Sequence, residues 1–162
     1  MKNEHGFIVA LISHGKEVND TPEIFSTGTY VDINDWETLD NTLLSITVTG
    51  SARMRILDTT YNEKGLMEAR AEYINEPKVS HYNFELDDKY NNLVETLQLL
   101  SKHPFVLQKY PEIDYMSPLN VCYKLSELLP ISNSTKLELL EITDINLYIE
   151  KLGILLESIE GK

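Results

Sequence analysis

One cysteine, Cys122, stands alone in 162 residues, so no internal disulfide can form and the chain suits a reducing compartment, which makes the cytoplasm the expected location. Basic residues are scarce too: 14 Lys+Arg face 26 Asp+Glu, and only Arg53, Arg55 and Arg70 are arginines. The formal net charge of -12 disfavours contact with nucleic-acid phosphate, whose binding proteins carry a basic stripe. Residues 1–80 and 81–162 each hold seven basic and thirteen acidic residues, so the acidity is global and no charged tail exists. No apolar run reaches the roughly 18 residues of a membrane span and no basic-then-apolar leader opens the chain, so neither a membrane nor secretion is expected. A G-x-x-x-x-G-K-[ST] phosphate loop is missing as well, since "HGKEV" at 14–18 has a Gly-Lys pair without the upstream glycine. A chain of this length holds one globular domain, or one domain with a helical appendage; energy-driven chemistry would have to come from a partner.

What is present changes period once, near residue 84. Before it, apolar residues alternate or fall in short β-branched runs: "GFIVALIS" (6–13), "TYVDINDW" (29–36), "TLLSITVTG" (42–50), "ARMRILDTTY" (52–61) and "LMEARAEYI" (66–74). These predict five strands in an antiparallel meander, joined by a polar loop at 14–22, a tight turn at 39–41, a bend or bulge at Gly50 and a hairpin at "NEKG" (62–65). After Pro77 the spacing is helical. Leu86, Tyr90, Leu93, Leu97 and Leu100 recur every three or four residues, with Pro104 just past the end and a loop following. Ser117 and Pro118 read as N-cap and first residue of a second helix that Pro130 stops. "SNSTKLELLEI" and "DINLYIEKLGILLESIE" complete four helices, the last capped by Thr143 or Asp144. The class is α+β, with a β part over 1–77 and a helical part over 78–162.

Little of this carries catalytic chemistry. His5, His14, His81 and His103 lie in separate segments without metal spacing, so no metal or other cofactor is expected. Cys122, three residues from both Leu119 and Leu125, reads as a small core residue with no base to activate it. Asp87 and Asp88 suit a helix N-terminus, and alternation puts Asp32 and Asp35 on opposite strand faces. Arg53 and Arg55 share a strand face. One reading pairs them with carboxylates on "YVDINDWETLD" or "EARAE", their stems covering the sheet. The other makes them, with Tyr30 and Trp36, a surface for carbonyls or carboxylates of a bound chain. Nine tyrosines and one tryptophan add polar-aromatic surface suited to packing or to a groove for extended apolar peptide.

Several residues together carry a family resemblance. Gly28 and Thr29 open a strand, with Ile33 an apolar position beyond them. Leu39 and Asp40 precede a turn and an apolar strand at 43–48, and Gly50 leads to Arg53, Arg55 and Ile56. Ala69 or Ala71 follows, and Glu76-Pro77 closes the run. With the Leu-Leu-Pro and Leu-Leu-Glu helices of "YKLSELLPISNSTKLELLEITDINLYIEKLGILL", this pattern resembles the LON domain, the substrate-recognition domain at the N-terminus of ATP-dependent Lon proteases, which also occurs free-standing. The resemblance spans residues 6–158. It implies a six-stranded PUA-like pseudo-barrel followed here by a C-terminal four-helix bundle.

The family's opening hairpin, with its Pro-Leu-Phe-Pro and Phe-Pro-Gly motifs, has no counterpart in "MKNEHGF", so the barrel is expected to be incomplete at its N-terminus. Three accounts suit that: a start codon upstream, which is preferred, a fragment, or strands supplied by another chain. With Met1 as the start, exposed apolar faces and self-association through the open barrel or low stability are expected. Nothing resembles the family's Ser-Lys proteolytic site, so the resemblance implies no enzyme; hydrolase activity would rest on family association alone. The implied partners are unfolded or damaged polypeptide or a protein adaptor, with Tyr30, Trp36, Arg53 and Arg55 as candidate peptide-binding residues. Gly28 and Gly50 serve strand geometry, and Leu125, Leu128, Leu129, Leu139, Leu140 and Leu152 serve the core. PUA-like barrels elsewhere bind RNA, which leaves an RNA-binding module as the alternative by fold analogy.

Overall fold

The computed structural model describes residues 6–16, 21–39, 43–79 and 88–161. Contacts divide the chain into two units, Met1–Asn75 and Glu76–Lys162. The first is a single antiparallel sheet of β1 (Gly6–His14), β2 (Glu23–Thr38), β3 (Leu44–Tyr61) and β4 (Met67–Tyr73), in that spatial order. The described sheet therefore has four strands and not five. The two runs at 42–50 and 52–61 form one strand because the ladder steps from Tyr30↔Ala52 to Val31↔Gly50, leaving Ser51 as an extra residue. Such a bulge bends a strand without ending it. A second extra residue, Asn34, places Asp32 and Asp35 opposite Thr49 and Thr47, two residues apart on β3, so the two aspartates share a face and simple alternation fails there. The expected turn at 39–41 and loop at 14–22 lie partly outside the described residues.

The hairpin at 62–65 forms around Asn62, whose Oδ1 accepts from the amides of Lys64 and Leu66, both at 3.0 Å. Gly65 there has φ 75°, a conformation that suits glycine. Gly28 answers to a different need. A Cβ at that position would lie 2.7 Å from both the Val9 carbonyl oxygen and Ile8 Cγ2, so only glycine lets β1 approach β2 this closely. At Gly50 an added Cβ would stand 3.1 Å from Thr29 Cγ2.

The second unit has five described helices, one more than the four expected: α1 (Asp88–Leu100), α2 (Pro104–Lys109), α3 (Pro118–Leu128), α4 (Asn133–Leu140) and α5 (Ile145–Glu160). The addition is α2. Pro104, read as a stop, is instead its first residue, and His103 caps it by accepting from the Phe105 amide at 3.3 Å. Ser117 caps α3 and Ser132 caps α4. Of the two candidates, Asp144 caps α5, accepting from Asn146 and Leu147 at 2.8 and 3.0 Å. The expected helical position Leu86 lies outside the described residues.

The principal core belongs to this unit. Leu93 and Leu97 of α1, Val121, Cys122 and Leu125 of α3, Leu139 of α4 and Tyr148, Ile149 and Leu152 of α5 are buried together. Leu129 joins them, Leu128 packs against them half-buried, and Leu140 is half-buried. The hydroxyls of Ser126 and Tyr148 inside this core are partnered, as burial requires. The Ser126 hydroxyl donates to the Cys122 carbonyl at 2.8 Å and lies 3.0 Å from the Tyr148 hydroxyl. Outside it, Glu127 Oε1 accepts from Lys109 Nζ at 2.6 Å and from the Tyr110 hydroxyl, while Lys124 Nζ sits 3.6 Å above the Tyr110 ring. Burial pushes the Glu127 carboxyl up, but the hydrogen bonds from Lys109 and Tyr110 and the Lys109 and Lys124 charges outweigh it, so the group titrates below its ordinary value.

Candidate functional site

Among the described residues of the first unit, three apolar side chains are buried: Val31, Met54 and Ile56. Part of its remaining apolar surface forms a trough. Ile8, Ala10, Tyr30, Met54, Ile56 and Ala71 line a cavity of about 1220 Å³, to which the consecutive residues Gly6 to Ala10 of β1 and most of β4 also contribute. Those strands are the opposite edges of the sheet, so their joint presence on one cavity means that the sheet curls and the trough is its concave face. A second cavity of about 610 Å³ shares Ile24, Ile56 and Met67 with the first and continues it. Among the described residues, Asp32 and Glu68 are the charged residues lining the larger cavity and Glu23 and Asp58 those of the smaller, with no Lys or Arg.

The four residues singled out from sequence do not meet at one place. Tyr30 lies in the trough, its ring over Gly6, and pairs in register with Ala52. Arg53 and Arg55 project from the other face, opposite Thr29 and Thr27. Arg53 is 3% exposed, and Nη2 donates to the Asn75 carbonyl just beyond β4. Arg55 is exposed and pairs across the ladder with Glu72 at 3.3 Å. Trp36, six residues along β2 from Tyr30, stands about 20 Å away. It is 68% exposed and opposite Ile46, on a two-stranded arm where 33–38 of β2 and 44–48 of β3 run on past both edge strands.

Cys122 is buried, and burial pushes its thiol up to about 12, far from a nucleophile at neutral pH. His14 is exposed at the end of β1 and His103 serves as a helix cap, while His5 and His81 lie outside the described residues. Among the described residues no three His, Cys, Asp or Glu come together in a way that could hold a metal ion, and no helix is long and apolar enough to cross a membrane.

A curled antiparallel sheet followed by a helical unit is a combination that known proteins share. The profile of the ATP-dependent protease La (LON) substrate-binding domain matches residues 1–158. The chain belongs to that family. Among solved structures, the Lon N-terminal domain protein from Xanthomonas campestris superposes with a TM-score of 0.66 at 21% identity, covering 91% of this chain and 73% of the other. The N-terminal domain of Mycobacterium avium complex Lon protease gives a TM-score of 0.64 at 16% identity, covering 91% and 74%. At such identities the likeness speaks for the fold. No curated protein sequence matches the chain significantly. The LON family defined by this profile is a substrate-binding one, not a catalytic one.

Within this LON domain the trough was the feature that residue-by-residue reading missed. Two signals pointed to it: an edge strand, "GFIVALISH", without one charged residue or proline, and the small side chains of Ala69 and Ala71 alternating on β4. Neither signal says that the two strands face the same space. That follows only from the curl.

Proposed function

We propose that this LON-family domain binds extended apolar segments of unfolded or damaged polypeptide in the cytoplasm, holding them for an energy-driven partner and hydrolysing nothing itself. One observation carries the reading. Among the described residues of the first unit, the concave face of the sheet is an apolar trough bordered by β1 and β4, each hydrogen-bonded there to one neighbouring strand. Folded proteins bury such surfaces, whereas an unfolded chain offers the apolar side chains and unpaired backbone groups that the trough and its edges can accept. The family match to a substrate-binding domain supports the same reading. The net charge of -12 and the acidic residues among the described lining weigh against RNA as the ligand.

The test is a fluorescence-anisotropy titration with a labelled polypeptide made permanently unfolded by reduction and alkylation, and its folded form as control. A saturable rise with the unfolded chain alone is the expected result. Equal binding of both forms, or of neither, overturns the reading.

A further inference from the structure

We propose that the sheet unit and the helical unit are joined at a single pivot, the backbone of Glu76, with the chain clamped into its own unit on either side. Such a joint lets the unit that bears the trough turn as one body while the helical core keeps its packing.

The chain up to Asn75 belongs to the sheet. The Ile74 amide donates to the Arg53 carbonyl at 2.8 Å, which carries the pairing of β3 and β4 one residue past Met54↔Tyr73, and Arg53 Nη2 donates to the Asn75 carbonyl. Arg53 is buried on β3, an interior strand between β2 and β4, so this charge-assisted bond is anchored away from the edges of the sheet. Because a peptide unit is planar, holding the Asn75 carbonyl also holds the Glu76 amide. From Glu76 onward the anchors are helical. The Glu76 carboxylate accepts from the Tyr123 hydroxyl on α3, and the Tyr123 ring packs against the helical core, edge-on to Tyr148 with centroids 5.9 Å apart. Pro77 is buried, and Lys78 forms a parallel bridge with Asp144, the cap of α5.

Stereochemistry then leaves one soft torsion between the two sets of anchors. Pro77 fixes its own φ near about −65° and confines Glu76 to extended ψ, so φ of Glu76 is the rotation that neither clamp nor ring opposes. The division of the chain into two units falls immediately before that bond, with Met1–Asn75 on one side and Glu76–Lys162 on the other. A turn of about 30° there carries a point about 20 Å from the axis through about 10 Å, with no anchor on either side broken.

The experiment measures distance distributions by double electron-electron resonance in the full chain, carrying pairs of nitroxide-labelled cysteines at exposed positions; the native Cys122 is buried and stays unlabelled. T60C/N75C reports within the sheet unit and K78C/E157C within the helical unit, each over about 20 Å by strand or helix rise. T60C/E157C reports across the pivot. The two within-unit distributions are expected to be narrow and the one across the pivot at least about twofold wider. Glu76→Pro, which locks φ, is expected to narrow the distribution across the pivot toward the within-unit width, and Glu76→Gly to widen it. Unchanged within-unit pairs show that both units of each variant still fold. A wide T60C/N75C or K78C/E157C distribution in the parent overturns the inference, because the chain then moves on a side held to be clamped. A parent width across the pivot no greater than the within-unit ones, or equal widths there in the parent, Glu76→Pro and Glu76→Gly chains, overturns it too, because the units then turn elsewhere or not at all.

Discussion

Arg53 and Arg55 stand two residues apart on the same face of one strand, yet their removal should differ by a factor of a hundred in its consequences. Arg53 is buried and donates a charge-assisted hydrogen bond to the Asn75 carbonyl, while its own carbonyl accepts from the Ile74 amide at 2.8 Å, so it ties down the chain that leaves β4. Truncation to alanine removes a bond worth about 1.5–3 kcal/mol. It also removes a buried aliphatic stem worth roughly 2 kcal/mol more. A total of about 3.5–5 kcal/mol corresponds to local opening roughly 4 × 10² to 5 × 10³ times more frequent. Arg55 has a surface ion pair with Glu72, both side chains more than half exposed, which is worth at most about 1 kcal/mol. Hydrogen-exchange mass spectrometry of peptides covering 53–75 measures both. Arg53→Ala should accelerate exchange across β4 and the segment after it, Arg53→Lys should fall between because an ammonium lacks the guanidinium fork, and Arg55→Ala should stay within about fivefold of the parent. Equal acceleration by the two alanine variants would refute the assignment of Arg53 as a structural clamp.

Gly28→Ala places a Cβ 2.7 Å from the Val9 carbonyl and should loosen the β1 ladder by about 1–3 kcal/mol, seen as faster exchange confined to β1 and the facing part of β2. The Cys122 thiol, pushed up to about 12 by burial, should be inert to a disulfide reagent at pH 8 until denaturant is added; rapid labelling of the native protein would contradict its place in the core. Glu127 titrates below its ordinary 4.5 in the folded state. Its contribution to stability is therefore fully present above the unfolded value and lost as pH falls through the lowered native one. Glu127→Gln should accordingly lower stability near neutrality, converge on the parent at the acid end and so flatten the acid limb of the stability profile, as read by urea melts between pH 2 and 7.

Much of the helical unit was legible because its signals are local. Ser117-Pro118 and Asp144 announce helix starts through bonds spanning two or three residues, and the buried leucines follow the helical period. Where a local sign has two meanings the sequence misleads: proline both ends and begins helices, and only the His103 cap shows that Pro104 begins one. In the sheet, alternation gave the shared face of the two arginines but not their depth, since Asn75, which covers Arg53, arrives from beyond another strand. Bulges at Ser51 and Asn34 fused two expected strands and reversed the parity of Asp32 and Asp35, effects that no period-two pattern contains. The trough lay furthest out of reach, because it exists only when a flat list of strands is curled.

An uncharged edge strand on a -12 chain raises the question of what keeps copies apart. Like charge is the answer the composition offers: at neutral pH each copy repels the next over about a Debye length, so the apolar β1 edge meets another only at a penalty. The sequence pI is about 4.7, so the penalty vanishes as the carboxylates protonate. Light scattering should then report a single small species at pH 7.5 in low salt and growing association as pH falls toward 5, with the far-ultraviolet circular dichroism unchanged. Val9→Lys, which puts a charge on an exposed position of that edge while barely moving the net charge, should suppress the association. Association unaffected by Val9→Lys would mean that the copies meet elsewhere, with the exposed Trp36 and Ile46 of the arm as the next surface to alter.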